Sequence, residues 1–344
     1  MNINLPFFKK QVLRLFFLIL GTMPPLSSQA QEAKEFRLGH FPNVTHAQAL
    51  LAHANGDFEK EIGIPIRWTI FNAGPSAIEA LFAGAIDATY VGPNPAINGY
   101  IQSHGKALRI VAGSASGGAA LVVRQDAKIQ SDRDFNNKIV ATPQLGGTQD
   151  VGARVWFQKK GYCVKEKGGT LTVLAISNPD QLLLFQKKEL DAAWTVEPWV
   201  SRLEAEGNGK IFLEEKTLWP EGRYVTTHLV VRSQFLKKNP GIIQKLIRAH
   251  IEVTQKLNAN KQASALIINQ ELQRETGTKL SPTTLQSALN RVEFTWDPLS
   301  ESLYKAAKDA HEIGFLENPP SLNNIYDLTI LNEVLMEKRL PLLK

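Results

Sequence analysis

The residues best suited to chemistry in this chain lie in short turns that precede predicted helices. Glycines at positions 74, 92, 146 and 147 let a ligand approach the backbone, and neutral side chains such as Ser76 and Asn94 can donate hydrogen bonds. A helix start also presents unpaired N–H groups and the positive end of a dipole, which favours anions. One Gly-Pro turn alone is ordinarily just a helix start, but the set indicates a binding site.

The predicted ligand contacts come from both halves of the chain. They are Asn43, Thr45, His46, Gly74, Ser76, Pro93, Asn94, Ser116, Gln144, Thr148, Gln149, Asp150, Trp194, Glu197 and His228. The two histidines either donate to an oxyanion or have a purely structural role, and the sequence leaves both open. Asp150 and Glu197 either cap helices or bind a cationic group, and Trp194 is either a ligand wall or part of the core.

Catalytic signatures are missing from the sequence. It contains no Gly-x-Ser-x-Gly elbow, no phosphate-binding loop with Gly-Lys, and no His-Glu-x-x-His zinc motif. No spacing indicates a metal cluster, and no cofactor is predicted. We therefore predict a binding protein rather than an enzyme, with an enzyme that uses His46 or His228 as the alternative.

Alternating strand and helix patterns predict the α/β elements that position these turns. The sequence segment at residues 81–93 recurs imperfectly at 184–198, and in each copy an apolar-Asp-Ala step begins a short predicted strand. This repeat predicts two similar α/β lobes with largely parallel sheets. Ligands bind beyond the carboxyl ends of strands in such sheets, so the turns are expected to face a cleft between the lobes.

The predicted domain organisation has three parts. Residues 1–30 form a signal peptide, residues 31–121 together with 229–344 form one lobe, and residues 122–228 form the other. Strands at 119–123 and 224–231 are expected at the two connections, which serve as the hinge. Residues 114–118 are predicted to be a flexible break, and all elements after residue 233 are predicted to be helical.

The N-terminus has the pattern of an export signal. Basic residues precede a short apolar stretch, and Ser28-Gln29-Ala30 fits a cleavage site, so the mature chain is expected to start at Gln31 in the periplasm. The formal charge of +6 includes three basic residues of this segment, which leaves +3 (6 − 3). This charge gives no support for nucleic-acid binding. The single cysteine, Cys163, forms no internal disulfide and is predicted to be a small buried residue.

Several of these motifs resemble a known family. Phe71-Asn72-Ala73-Gly74-Pro75-Ser76, the Asp-Ala steps, Gly92-Pro93-Asn94-Pro95 and the stretch at 196–203 look like the aliphatic-sulfonate, taurine and nitrate group of ABC-transporter substrate-binding proteins. The resemblance implies a type II periplasmic binding fold of two α/β lobes, a small-molecule solute, and delivery to a permease driven by an ATPase. A monomer is expected.

The nature of the ligand stays open at the level of the sequence. The resemblance implies an aliphatic sulfonate or taurine. No arginine or lysine clamp is visible in the turns, and Arg154 is the nearest candidate. Nitrate, a cationic guanidine-type solute and a heterocycle are therefore alternatives, and a sensor that reports ligand occupancy to a membrane receptor is a further one. The turns of the first predicted lobe are neutral and rich in hydrogen-bond donors, whereas Trp194 and Glu197 of the second lobe are aromatic and acidic. This asymmetry predicts a ligand with two different ends.

Overall fold

The computed structural model describes residues 33–343, so the predicted signal peptide and its cleavage site lie outside the described residues. Across this described range, no helix combines the length and apolar character needed to cross a membrane. The strands are β1 (Phe36–His40), β2 (Ile66–Ile70), β3 (Ala88–Val91), β4 (Leu108–Gly117), β5 (Ala119–Arg124), β6 (Ile139–Thr142), β7 (Thr172–Ala175), β8 (Ala192–Val196), β9 (Gly209–Glu214), β10 (Val225–Arg232) and β11 (Val292–Phe294).

Helices surround these strands. They are α1 (Ala47–Asn55), α2 (Asp57–Ile62), α3 (Gly74–Phe82), α4 (Pro93–Gln102), α5 (Thr148–Lys159), α6 (Asn178–Gln186), α7 (Trp199–Glu206), α8 (Ser233–Lys238), α9 (Pro240–Ala259), α10 (Lys261–Thr276), α11 (Pro282–Asn290), α12 (Ser300–Glu312) and α13 (Thr329–Glu337). Proline stands in the first turn of α3, α4, α6, α9 and α11, where its missing N–H costs no hydrogen bond.

The strands form two sheets, which define two lobes. The first lobe has a six-stranded sheet in the order β11-β4-β10-β3-β1-β2, and the second has a five-stranded sheet in the order β7-β6-β8-β5-β9. In each sheet the central βα units are parallel and the strands at the connection are antiparallel to them. Two α/β lobes are thus present, as the repeat predicted.

The repeated Asp-Ala segment has the same structural role in both lobes. Asp87 precedes β3 and Asp191 precedes β8, and each backbone N–H bonds to the neighbouring parallel strand, at Arg37 and Ile139 respectively. Each carboxylate then accepts a hydrogen bond from the backbone N–H of that same residue, at 3.1 and 2.9 Å. An arginine at the end of the antiparallel neighbour, Arg232 or Arg124, approaches the carboxylate from the other side. The motif therefore anchors the strand ends and leaves the opposite, carboxyl ends for the cleft.

The chain passes between the lobes twice. It leaves the first sheet at Gly117, enters the second at Ala119, and returns through residues 215–224. Both glycines at the first crossing, Gly117 and Gly118, have a φ of +79°, and a β-carbon on Gly118 would lie 2.7 Å from Val292. The predicted lobe boundaries, after residues 121 and 228, stay a prediction.

Apolar clusters fill both lobes, and the cluster of the first lobe also includes Val151 and Val155 of α5 from the second lobe. In the first lobe, Leu81, Ile97 and Leu108 lie in one cluster with Leu303 of α12. In the second lobe, one face of the sheet carries a cluster that includes Phe135, and the other face carries one that includes Val200. Helix α12 contacts α4 of the first lobe and α5 of the second, so a C-terminal helix does bridge the lobes.

Three expectations about the elements were wrong, and one strand was missed. The predicted flexible break at 114–118 is mostly strand, because β4 continues to Gly117 and pairs with both β10 and β11. Strand β11 interrupts the predicted run of helices after residue 233, and β9 was not predicted. Cys163 is exposed rather than buried, because it lies in the loop after α5.

Candidate functional site

A polar cavity lies between the lobes at the carboxyl ends of their parallel strands. Its lining comprises Phe41, Asn43, Thr45, His46, Asn72, Ala73, Gly74, Gly92, Pro95, Pro143, Gly147, Thr148, Gln149, Asn178, Val196, Thr226 and Thr227. The space open to the centres of water-sized molecules is about 30 Å³. That volume holds roughly two waters, or a compact group that displaces them.

Four helices begin at this cavity. Helix α3 starts at Gly74, α4 follows Gly92, α5 follows Gly147, and α6 starts at Asn178. None of these four starts has a side chain that caps its first N–H groups. Uncapped N–H groups and four positive dipole ends thus surround one small space, which favours a negatively charged group.

Two hydroxyl groups in the lining also lack a partner. The Oγ1 atoms of Thr148 and Thr227 are buried and make no hydrogen bond, although both residues line the cavity. A buried polar atom without a partner costs free energy, so an atom that supplies the missing hydrogen bond is bound favourably. Together with the helix starts, these hydroxyls provide donors from both lobes.

The cavity is electrically neutral. Among the described residues, none of its lining residues is Asp, Glu, Lys or Arg. His46 is the single titratable group in the lining, and burial lowers its pKa well below the usual value. Its Nδ1 accepts a hydrogen bond from the Phe41 backbone N–H at 3.2 Å, which leaves Nε2 as the protonated nitrogen of the neutral ring. His46 is therefore a neutral donor near pH 7.

A second, largely apolar cavity adjoins the first. Its wall is built from aromatic and aliphatic side chains of both lobes, and the space open to the centres of water-sized molecules is about 160 Å³. The main apolar lining residues are Val151, Val155, Trp156, Trp194, Leu218, Trp219, Tyr224 and Ala306. Thr148 lines both cavities. The two cavities thus offer a donor-rich end and an apolar end to one ligand.

Two carboxyl groups line the apolar cavity, and neither is a free anion for a ligand. Asp309 is held by Lys159 and Lys305, at 2.7 and 2.6 Å. Glu215 accepts a hydrogen bond from Trp194 Nε1 at 2.7 Å, and burial raises its pKa to about 7. This cavity therefore suits an uncharged carbon chain better than an ammonium group.

We expect Glu215→Gln to flatten the dependence of stability on pH. The pKa of Glu215 is raised in the folded state, so its contribution to stability is complete below pH 4.5 and is lost as the pH rises through about 7. The loss is on the order of 3 kcal/mol, and the glutamine of the variant has no proton to lose. Urea unfolding should show the variant more stable than wild type at pH 8 and equal to it at pH 4.5.

The exposed Glu221 provides the control for this experiment. Glu221→Gln should keep the pH profile of the wild type, because no buried carboxyl is removed. A Glu215→Gln variant whose pH profile runs parallel to that of the wild type would show that Glu215 ionises normally in the folded protein.

The lobes touch each other across the cavity. Ser76 and the Gln144 amide are 3.0 Å apart, and Asn72 donates to the Pro143 carbonyl at 3.4 Å. A β-carbon built on Gly92 would lie 2.2 Å from Thr148 Oγ1, so only glycine fits there while the lobes are together. The structure is thus a closed arrangement, and separation of the lobes would expose both cavities.

The predicted ligand contacts fall into four groups. Those in the polar cavity are Asn43, Thr45, His46, Gly74, Thr148 and Gln149. Those in the apolar cavity are Pro93, Asn94 and Trp194, and Thr148 lines it as well. Ser76 and Gln144 form the contact between the lobes. Ser116, Asp150, Glu197 and His228 line neither cavity within the described part of the chain.

The two predicted acids are engaged inside the protein. Asp150 accepts hydrogen bonds from Thr142 Oγ1, the Gly146 backbone and Arg154 Nε, at 2.9, 3.0 and 3.1 Å. It fixes the turn before α5, and Arg154 pairs with it rather than with solvent or ligand. A role of Asp150 in contact with a cationic ligand finds no geometric support.

Glu197 likewise serves the joint between the lobes. Its carboxylate accepts from the Ser201 backbone and hydroxyl and from Arg291 Nη1, at 3.1, 2.9 and 3.0 Å. Arg291 also binds Glu204 and Glu214 at 3.0 and 3.1 Å, so one guanidinium of the first lobe holds three carboxylates of the second. Burial raises the pKa of Glu197 to about 7, and the contacts with Ser201 and Arg291 offset part of that rise.

The other two residues outside the cavities are internal to the first lobe. His228 Nε2 lies 2.9 Å from the Pro298 carbonyl, and burial lowers its pKa to about 4. Ser116 Oγ accepts from the Tyr224 backbone N–H at 3.3 Å. These contacts give His228 a structural role within the first lobe and Ser116 a structural role at the end of the second crossing.

Sequence reasoning missed several residues of the polar cavity. Asn72 and Asn178 lie in turns that open predicted helices, so the helix-start signal could have found them. Phe41 and the threonine pair 226 and 227 lie at the end of one strand and the start of another, where nothing in the local pattern indicates a ligand.

Two α/β lobes joined by two crossings, with the site between them, are the fold of the type II periplasmic binding proteins. The alkanesulfonate-binding protein SsuA from Xanthomonas axonopodis pv. citri, solved with MOPS bound, has this fold with a TM-score of 0.71 and 20% identity, over 86% of this chain and 99% of that one. A model of the NMT1-like family matches residues 29–269. The chain belongs to the NMT1-like family.

Curated relatives share the sequence at low identity. The taurine-binding periplasmic protein of Escherichia coli (strain K12) is 24% identical over 212 residues, and the match spans 62% of this chain and 63% of that protein. The putative aliphatic sulfonates-binding protein of Bacillus subtilis (strain 168) is 22% identical over 326 residues, which are 90% of this chain and 91% of that protein.

Proposed function

We propose that this protein is the periplasmic solute-binding component of an ABC importer and that its solute is an aliphatic sulfonate. The family and the names of the relatives support the solute-binding role. The observation that carries the proposal is the convergence of four uncapped helix starts on a neutral cavity. The solute would pass from the closed lobes to a membrane permease, which an ATPase drives.

The two cavities support a sulfonate with a carbon tail. A sulfonate carries one negative charge on three oxygens, which matches donors that arrive from several directions. The apolar cavity next to Thr148 would hold the tail between Trp194 and Trp219. Taurine and nitrate satisfy this arrangement less well, because taurine has an ammonium group where the wall is apolar and nitrate has no tail.

The geometry does not favour the cationic alternative. A guanidine-type solute needs a carboxylate, and Asp150 and Glu197 are both paired with arginines of the protein. Nothing in the two cavities supports an enzyme either: His228 lies outside both linings of the described chain, and His46 Nδ1 is engaged by the Phe41 backbone.

A thermal-shift and calorimetry panel tests the proposal. We expect hexanesulfonate to raise the melting temperature more than methanesulfonate, and both more than hexylammonium at equal concentration. A ligand at 100 times its Kd stabilises the folded form by about 2.7 kcal/mol, which is readily measured. Taurine, nitrate and guanidine complete the panel.

The panel tests the two ends of the ligand separately, because hexanesulfonate and methanesulfonate differ in the tail, whereas hexanesulfonate and hexylammonium differ in the head group. Equal shifts for methanesulfonate and hexanesulfonate would remove the tail from the proposal. Stabilisation by hexylammonium or guanidine without any response to sulfonates would contradict the anion site and establish the cationic alternative.

A further inference from the structure

A cluster of histidine and glutamate side chains lies on the first lobe outside both cavities. His40 is the last residue of β1, His53 is on α1, and Glu271 and Glu275 are one turn apart on α10. One nitrogen of each histidine and one oxygen of Glu275 all lie within 4.8 Å of one another. Because the three ligand atoms come from residues 40, 53 and 275, their convergence exists only in the fold, and the sequence predicted no metal site.

The nitrogen and oxygen atoms of the cluster lie within hydrogen-bonding distance of one another. Glu275 Oε1 is 2.6 Å from His40 Nε2 and 3.4 Å from His53 Nδ1. His53 Nδ1 is also 2.8 Å from Glu271 Oε1. Ligands of a tetrahedral zinc ion at about 2.0–2.1 Å are separated by about 3.3 Å, so a small rotation of the Glu275 carboxylate would admit the ion.

Burial and charge also favour a cation here. The side chains of His40, Glu271 and Glu275 are 0%, 4% and 2% exposed, while that of His53 is 19% exposed and opens the cluster to solvent. Two carboxylates face one guanidinium, that of Arg274, whose Nη2 contacts Glu271 and lies 3.0 Å from His53 Nδ1. The Arg274 side chain is exposed, and it would swing aside when that nitrogen binds an ion. The second oxygen of Glu275 is buried without a hydrogen-bond partner. An unsatisfied buried carboxylate oxygen needs a partner, which a metal ion supplies.

The surroundings hold the ligands in place. The Trp68 ring stacks on His53 at a centroid distance of 4.5 Å and meets His40 edge-on at 5.3 Å. Trp68 is in turn fixed by a hydrogen bond from Nε1 to Glu59 at 2.7 Å. Rings that are packed in this way lose little freedom on binding an ion, which favours affinity.

We propose that His40, His53 and Glu275 bind a Zn²⁺ ion. Imidazole nitrogens with carboxylate oxygens are a usual zinc ligand set, whereas Ca²⁺ and Mg²⁺ take oxygens alone. The ion would join β1, α1 and α10, and it would brace the lobe behind Phe41 of the polar cavity. This site is independent of the proposed function.

Zinc titration of the mature chain after treatment with EDTA tests this proposal. Calorimetry should give one Zn²⁺ per chain, with a rise in melting temperature that Mg²⁺ and Ca²⁺ do not produce. Co²⁺ should bind at the same stoichiometry and give the absorption bands of a nitrogen- and oxygen-ligated ion. The variants His53→Gln and Glu275→Gln should each lower zinc affinity at least tenfold.

The exposed His104 provides the control, and His104→Asn should bind zinc like the wild type. Of the two ligand variants, His53→Gln is expected to disturb folding less, because His53 is the most exposed ligand. Melting of each variant in EDTA shows whether it is folded. Absence of stoichiometric zinc binding in the wild type, or unchanged affinity in folded His53→Gln and Glu275→Gln, would overturn the proposal.

Discussion

Replacing Gly92 with alanine is expected to weaken ligand binding by about 100-fold or more without unfolding the protein. The new β-carbon would lie 2.2 Å from Thr148 Oγ1 of the opposite lobe, a distance that no real contact tolerates. The backbone of Gly92 is extended, with φ −71° and ψ 165°, so alanine itself is not strained there. The clash therefore penalises the closed form far more than the open one, and about 3 kcal/mol of penalty corresponds to that loss of affinity.

Calorimetry with hexanesulfonate and small-angle scattering measure the two parts of this effect. Gly241→Ala is the matched control, since a β-carbon on Gly241 meets nothing within 4 Å. The double variant Gly92→Ala/Thr148→Ala should regain part of the compaction on ligand addition, because the nearest clashing atom is gone. Wild-type affinity in Gly92→Ala would mean that the ligand binds without closure of the lobes around Gly92.

Replacing Arg291 with methionine is expected to cost on the order of 3 kcal/mol of folding free energy at pH 8 and clearly less at pH 5. The guanidinium compensates the Glu197 carboxylate, whose side chain is 0% exposed. Burial already raises the pKa of Glu197 to about 7, and loss of the cation raises it further. At pH 5 the carboxyl is protonated and needs no partner, whereas at pH 8 it is left as a buried, uncompensated charge.

Urea unfolding at the two pH values measures this difference. Arg223 also pairs with a glutamate, Glu293, but both side chains are about half exposed, so Arg223→Met should cost less than about 1 kcal/mol. Adding Glu197→Gln to Arg291→Met should recover much of the loss at pH 8. An equal loss for Arg291→Met at both pH values would show that the effect comes from packing or from Glu204 and Glu214 rather than from Glu197.

Local sequence patterns were sufficient to predict the lobes and the helix starts of the cavity. Helix α4 begins at Pro93, directly after the Gly92-Pro93 turn that indicated a helix start, since proline and glycine mark such boundaries strongly. The Asp-Ala steps at 87 and 191 also identified equivalent strands in the two sheets, although their carboxylates anchor strand ends and line neither of the two cavities described.

The pairing of residues distant in the sequence could not be predicted in the same way. Asp150 and Arg154 are four residues apart on one helix, so their ion pair was accessible from spacing alone. Glu197 and Arg291 are separated by 94 residues, and only the packing of α11 against α7 brings them together. A buried carboxylate that already has a partner within the protein is not available to a ligand. That partner is set by the tertiary fold.

The neutrality of the polar cavity has a consequence for the choice among anions. The cost of removing an ion from water grows with the square of its charge, while fixed N–H dipoles repay it only in proportion to the charge. We therefore expect a lining without lysine or arginine to favour a monoanion over a dianion of the same shape. Sulfate and hydrogen phosphate resemble a sulfonate head in size, and we expect their second charge to weaken their binding relative to that of a sulfonate.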